Sequence, residues 1–189
     1  MKPGEKPATA PAALARFVVT LPQAPSKFEN VLRLVAPEGA PALTATTDAF
    51  LHLARRSKTR LVIITPFVDM PGILWATALF QVSSAPQRVL VVRNRFQLDQ
   101  FPAELFKLAR LNVRILEYRI YHPVGTRSRP IETFHAKIVM SDGSAAYVGS
   151  ANLVESSQEI ALECGFIIEG PAVAQVVDVV EAILRIATK

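Results

Sequence analysis

Two short, uninterrupted apolar runs, RLVIITPF at 60–67 and RVLVVR at 88–93, constrain the fold more than any other feature of the chain. Both are dense in β-branched residues and apolar at successive rather than alternate positions, the pattern of strands buried on both faces. A third strand, NVRILEY, follows at 112–118. The intervening segments, 72–82 and 103–110, are helical in spacing or character, so this stretch reads β-α-β-α-β. That order implies parallel strands joined by right-handed crossovers, with helices covering the sheet. The predicted fold class is a single α/β domain, a mixed and mostly parallel sheet flanked by helices on both faces.

The remaining segments fill in around this unit. Residues 1–15 are rich in Ala, Pro and Lys and offer too little apolar surface to offset the entropy of ordering, so they are expected to be a disordered arm. Residues 16–41 form an accessory segment, a strand at 16–21, a helix at 27–35 and a turn at 37–41. The main domain takes 42–189. Its first helix is expected over 43–56, with Thr44, Thr46 or Thr47 as the cap. After a loop at 121–130, strands at 134–140 and 145–148 flank Ser141-Asp142-Gly143-Ser144, and Asp-Gly between apolar runs predicts a hairpin. A further strand is expected at 161–168, and Gly170-Pro171 then breaks the chain before a closing helix at 172–187.

With 189 residues the chain is long enough for one ordinary domain and cramped for two. The single cysteine, Cys164, excludes an intrachain disulfide and a Cys-rich zinc site, and its apolar run suggests a buried structural role. The histidines, His52, His122 and His135, show no metal-ligand spacing, so neither a metal nor another cofactor is expected. The longest apolar stretch, 72–80, is less than half of the roughly 20 residues a membrane-spanning helix needs. The N-terminus lacks the apolar core of a signal peptide, which points to the cytoplasm. A net charge of +5 favours anionic partners, nucleic acid first. Arg93 and Arg95 follow one strand, while Arg127 and Arg129 lie in the loop before His135.

The informative stretch runs from His135 to Asn152 and can be written H-x-K-x4-D-x6-G-S-x-N. Residues i and i+2 of a strand share a face, so His135 and Lys137 should project side by side, with Phe134, Ala136 and Ile138 opposite. The hairpin should return Gly149, Ser150 and Asn152 to the start of the strand. An imidazole, an ammonium, a hydroxyl and an amide in one place suit a phosphate diester. His135 can serve as nucleophile, and Lys137, Asn152 and Ser150 can donate to oxygens that gain charge as phosphorus becomes five-coordinate. Gly149 leaves room for close approach. Each residue alone has an ordinary explanation, Asp142 as a turn residue above all. Six identities at fixed offsets, however, should arise by chance at roughly one position in 10^8.

This stretch resembles the His-Lys-Asp motif of the phospholipase D/nuclease superfamily, with the trailing G-S-x-N intact. The resemblance implies a phospholipase D-like fold, chemistry without a metal and a phosphohistidine intermediate. It implies a supporting role for Asp142, in charge balance or in holding the hairpin. It also implies a glutamate that accepts a hydrogen bond from the nucleophilic histidine. Glu163 is the preferred candidate, with Glu155 and Glu159 as rivals.

The family reaction needs a second imidazole to protonate the leaving oxygen. Neither His52 nor His122 begins another H-x-K, so the resemblance implies a homodimer with one composite site. The function expected is that of a nuclease, DNA favoured, with phosphate contacts from Arg127 and Arg129. The sequence also resembles small phospholipase D-like proteins of bacterial anti-phage defence systems, which would make other defence proteins candidate partners. The alternatives are a lipid phosphodiesterase and a non-catalytic nucleic-acid-binding or scaffold subunit.

Overall fold

The first apolar run forms β2 (Arg60–Thr65), and its side chains divide as two-sided burial requires. Leu61 and Ile63 enter one hydrophobic cluster, Val62 and Ile64 the other. The same division holds in β3 (Gln87–Val92), where Leu90 and Val92 face one way and Val89 and Val91 the other. A computed structural model describes residues 14–36, 44–122 and 130–188 and supplies the geometry below.

Helices α2 (Thr46–Arg56), α3 (Met70–Val82) and α4 (Pro102–Arg110) cover the first face, through Phe50, Leu53, Ile73, Leu79, Phe80 and Leu108. The second face is closed by α6 (Val173–Ile186), which buries Val180 and Ile183. Placement of α3 and α4 on one face follows from the chain path. Strands β2, β3 and β4 (Val113–Glu117) advance in one direction, and right-handed crossovers then fall on the same side.

The seven-stranded sheet also contains β1 (Leu14–Thr20), β7 (Lys137–Ser141), β8 (Ala145–Gly149) and β9 (Glu163–Glu169), in the order β1-β9-β8-β7-β2-β3-β4. A separate ribbon joins β5 (Arg119–Ile120) to β6 (Glu132–Thr133). The sheet is mixed, as expected, but mostly antiparallel rather than mostly parallel. Only β2–β3 and β3–β4 pair parallel, whereas β7 lies antiparallel to β2, and β8, β9 and β1 follow antiparallel in turn. The physical reason is local. The Asp142-Gly143 turn forces β7 and β8 antiparallel, since parallel neighbours need a long crossover.

The segment read as accessory supplies the edge strand. β1 pairs with β9 from Leu14↔Glu169 to Thr20↔Glu163, with Val18 fully buried and Phe17 against Phe166 at 5.2 Å. It leads to α1 (Lys27–Val35), which Ser26 caps by accepting from the Glu29 N–H. None of the three threonines caps α2. Its cap position is Ala45, and the Thr46 N–H donates to Thr20 Oγ1 of β1 at 3.0 Å. The turn expected at 37–41 lies outside the described residues, as does the arm expected at 1–15 up to residue 13, while its last two residues open β1. Among those described, no helix is long and apolar enough to cross a membrane.

Candidate active site

Strand β7 opens at Lys137 because only there does it gain neighbours on both sides. Lys137 pairs with Gly149 of β8, and Ile138 with Ile64 of β2. The strand therefore begins three residues later than the run at 134–140 suggests. Phe134, Ala136 and Ile138 pack toward α6, as the alternation predicted. His135 stands beyond the last rung of the ladder and is exposed, while Lys137 is only 5% exposed.

The two side chains meet. Lys137 Nζ lies 2.9 Å from His135 Nδ1 and 3.2 Å from Nε2, and it donates to the His135 carbonyl at 2.7 Å. The lone pairs of the two ring nitrogens diverge, so one ammonium cannot be aligned with both. Phe67, just past β2, presents a ring 5.9 Å from that of His135 at 73°. Arg93, just past β3, stacks its guanidinium on Phe67 at 4.5 Å. Burial pushes the Lys137 ammonium below the ordinary lysine range, the Glu163 carboxylate pulls it back up, and Arg93 adds to the lowering.

Glu163, 7% exposed, does not hold His135. Its carboxylate accepts from Ser150 Oγ and, at 2.5 Å, from Ser157 Oγ. Among the described residues the His135 ring has Lys137 as its hydrogen-bonding neighbour, and Glu163 acts on Lys137 by charge. Glu155 and Glu159 are exposed on the short helix α5 (Glu155–Glu159). Ser150 spends its one proton on Glu163 and accepts from the Cys164 N–H at 3.0 Å, so it is not a free phosphate donor. Cys164 itself is half-buried rather than buried.

The segment carrying Asn152 is strapped to the end of β2. Leu153 N–H donates to Thr65 Oγ1 at 3.3 Å, and the Asp69 N–H to the Leu153 carbonyl at 3.2 Å. Asp69 caps α3 by accepting from Gly72 and also accepts from the Glu155 N–H that opens α5. Gly72 is required there, because a Cβ would lie 1.6 Å from the Leu153 oxygen. Ser157 Oγ accepts from the Asn152 N–H at 3.2 Å, while Asn152 Oδ1 is buried without a hydrogen-bond partner.

Two residues of the motif serve elsewhere. The room at Gly149 is filled by the protein, since a Cβ would meet Tyr147 Oη at 2.2 Å and the Cys164 carbonyl at 2.6 Å. Asp142 lies at the other end of β7, about five residues and roughly 17 Å of extended chain from Lys137. Its φ is 56°, followed by 69° at Gly143, which gives the tight hairpin. Its carboxylate accepts from the N–H groups of Lys58, Thr59 and Arg60 and from Thr59 Oγ1. Burial acts to raise its pKa, but those donors outweigh it and hold the carboxyl below the usual range.

Arg127 and Arg129 lie outside the described residues. The contributions of Arg93, Phe67 and Ser157 were missed in the sequence. Arg93 and Phe67 share a signal that can find them, since both follow the carboxyl ends of parallel strands, where crevices of α/β sheets open. Ser157 had none. Among the described residues, no group of three or more His, Cys, Asp or Glu side chains is placed to hold a metal ion.

Comparisons agree with this architecture. No curated protein is matched by sequence. Nuc from Salmonella typhimurium, a phospholipase D family member, superposes with a TM-score of 0.58 at 12% identity, covering 94% of this chain and 97% of that one. NucT from Helicobacter pylori gives 0.59 at 12% identity, with 94% and 99% covered. Phosphatidylserine synthase from Haemophilus influenzae Rd KW20 gives 0.57 at 15% identity, over 95% of this chain and 40% of that longer one. At these identities the superpositions speak for the fold. The family model described as the cardiolipin synthase PLD-like domain matches residues 50–183, most of the chain, and the protein belongs to the phospholipase D-like family.

Proposed function

We propose that this protein is a phosphodiesterase-type enzyme that cleaves nucleic-acid phosphodiester bonds, DNA in preference to RNA, without a metal. The observation that carries the reading is an exposed imidazole at His135 held 2.9 Å from the buried ammonium of Lys137, with the Arg93 guanidinium beyond Phe67. A solvent-accessible nucleophile thus borders two cations able to stabilise charge on phosphoryl oxygens. Asn152 is the further candidate donor, and Ser150 and Glu163 position Lys137 and the surrounding loop. Asp142 holds the hairpin.

In the reaction, a ring nitrogen of His135 attacks phosphorus, and the P–O bond to the leaving strand breaks. The leaving oxygen takes a proton from the His135 imidazolium of a second copy. Water then attacks the phosphohistidine, gives its proton to that second, now neutral imidazole, and releases a phosphomonoester. The chain carries the motif once, so two copies must share a site in an isologous dimer. The net charge of +5 supports a polyanionic substrate, as does likeness over nearly the whole length of Nuc and NucT. A place among defence-associated nucleases rests on motif likeness.

The test is incubation of the purified chain with plasmid and single-stranded DNA in excess chelator, beside His135→Ala. The expected result is cleavage that survives the chelator and disappears in the variant, from a species of twice the chain mass by light scattering. Binding without cleavage, equal in both proteins, would replace the enzyme with a nucleic-acid-binding scaffold. Hydrolysis of phospholipid vesicles with DNA left intact would make the substrate a lipid.

A further inference from the structure

At the opposite end of the sheet from His135, a cleft of about 400 Å³ opens between the last turns of α6 and the starts of β2, β3 and β4. It is separated from the candidate site by the length of β2, roughly 20 Å for six residues. Arg60, Arg88, Arg114 and Arg185 line it, with Glu181 as its one carboxylate. Four positive charges against one negative leave +3 on a small concave surface.

The arginines are not equally committed. Arg60 pairs with Glu181 at 2.6 Å. Arg88 is turned to the Leu111 and Ser83 carbonyls, both at 2.8 Å, and its Nε is buried without a hydrogen-bond partner. Arg114, on β4, and Arg185, on α6, are both exposed, and neither enters an ion pair among the described residues. Two uncommitted guanidiniums, one from β4 and one from α6, line the same cleft, and a guanidinium grips a phosphoryl group through paired N–H donors. The rest of the lining is of another kind. Pro86, Val89 and Leu184 supply apolar contact, while Gln87 and Asn112 supply amides. Cationic groups beside apolar residues and a few amides, in a volume within the usual range of small-ligand sites, match a ligand with both a flat ring and a phosphate.

We propose that this cleft is a second, non-catalytic binding site for a mononucleotide, its phosphate held by Arg114 and Arg185 and its base resting on Val89 and Leu184. The site is independent of the reaction proposed above, and either can fail without the other.

Calorimetry of the full chain with adenosine 5′-monophosphate tests it, with adenosine, inorganic phosphate and a short oligothymidylate as the other probes. The monophosphate should bind, adenosine should bind far more weakly, and Arg114→Ala with Arg185→Ala should weaken binding by about tenfold or more. Glu181→Gln removes the competing carboxylate and should tighten it, a gain that misfolding cannot imitate. His135→Ala should leave it unchanged. Absence of binding at millimolar nucleotide, loss of binding in His135→Ala, or indifference to the arginine substitutions would overturn the assignment. If the oligonucleotide alone binds and depends on both arginines, the cleft is a backbone contact of a nucleic acid and the mononucleotide site is refuted.

Discussion

Replacing Asp142 by Asn separates holding the hairpin from acting at the site. Asparagine tolerates the φ of 56° at this position, so the turn itself survives. In the native protein Oδ1 takes the Thr59 N–H and hydroxyl at 2.9 Å and the Arg60 N–H at 2.8 Å, while Oδ2 takes the Lys58 N–H at 2.9 Å. An amide can keep the first group on its oxygen but sets a donor against Lys58, so one bond is lost and the others lose their charge. A hydrogen bond to a charged group is worth about 1 kcal/mol more than a neutral one. Shared acceptors and partial exposure reduce the sum, giving a loss of about 1–2 kcal/mol. For a chain of this length that is a fall in Tm of about 2–8 °C. The sign with pH follows from the direction of the shift. A carboxyl held below its ordinary value of about 3.9 stabilises the fold above that pH, and the benefit is lost as pH falls through the depressed folded-state value. The gap between native and variant should be level from about pH 5 to 8 and close below about pH 4. Urea unfolding followed by circular dichroism across pH measures it. An unchanged midpoint together with abolished phosphodiester hydrolysis would refute the placement of Asp142 away from the chemistry.

Other outcomes follow from the same geometry. Hydrolysis of a chromogenic phosphodiester should decline on the alkaline side at lower pH than an unperturbed lysine allows, because Lys137 loses its proton early. Arg93→Gln should move that limb up in pH and Glu163→Gln should move it down, and a pH–rate profile showing both moving the same way would contradict the assignment. Gly149→Ala drives a methyl into Tyr147 Oη and the Cys164 carbonyl, and should cost about 1–3 kcal/mol in urea unfolding even with no substrate present. Gly72→Ala forces the Leu153 carbonyl away and with it the strap that carries Asn152, so turnover should fall along with stability when both are measured on one preparation.

Strand and helix placement was largely legible in the sequence. The runs at 60–67 and 88–93 announce two-sided burial without any knowledge of the partners, and α1 falls on the residues expected for it, 27–35. The Asp-Gly turn was legible for the same reason, since two successive left-handed residues are a local matter. What failed was the account of neighbours. The sequence shows that β2, β3 and β4 run parallel but not that β7 joins β2 on the other side, or that β1 returns to close the far edge. Thr20, and none of the nearby threonines, satisfies the first N–H of α2, because the two segments meet only in the folded chain.

The candidate site divides in the same way. Which groups are available, an imidazole and an ammonium two residues apart where a strand begins, follows from the chain itself, because alternation is a property of any extended backbone. Folding decided which partner each group took. It left His135 exposed past the ladder, gave Glu163 to Ser150 and Ser157 instead of the imidazole, and filled the space over Gly149 with Tyr147. It also brought Arg93 within electrostatic reach of Lys137. Short-range order follows from backbone sterics and can be read in line, whereas the pairing of distant charges depends on how strands are ordered across the sheet, and that order exists only once the whole core has packed.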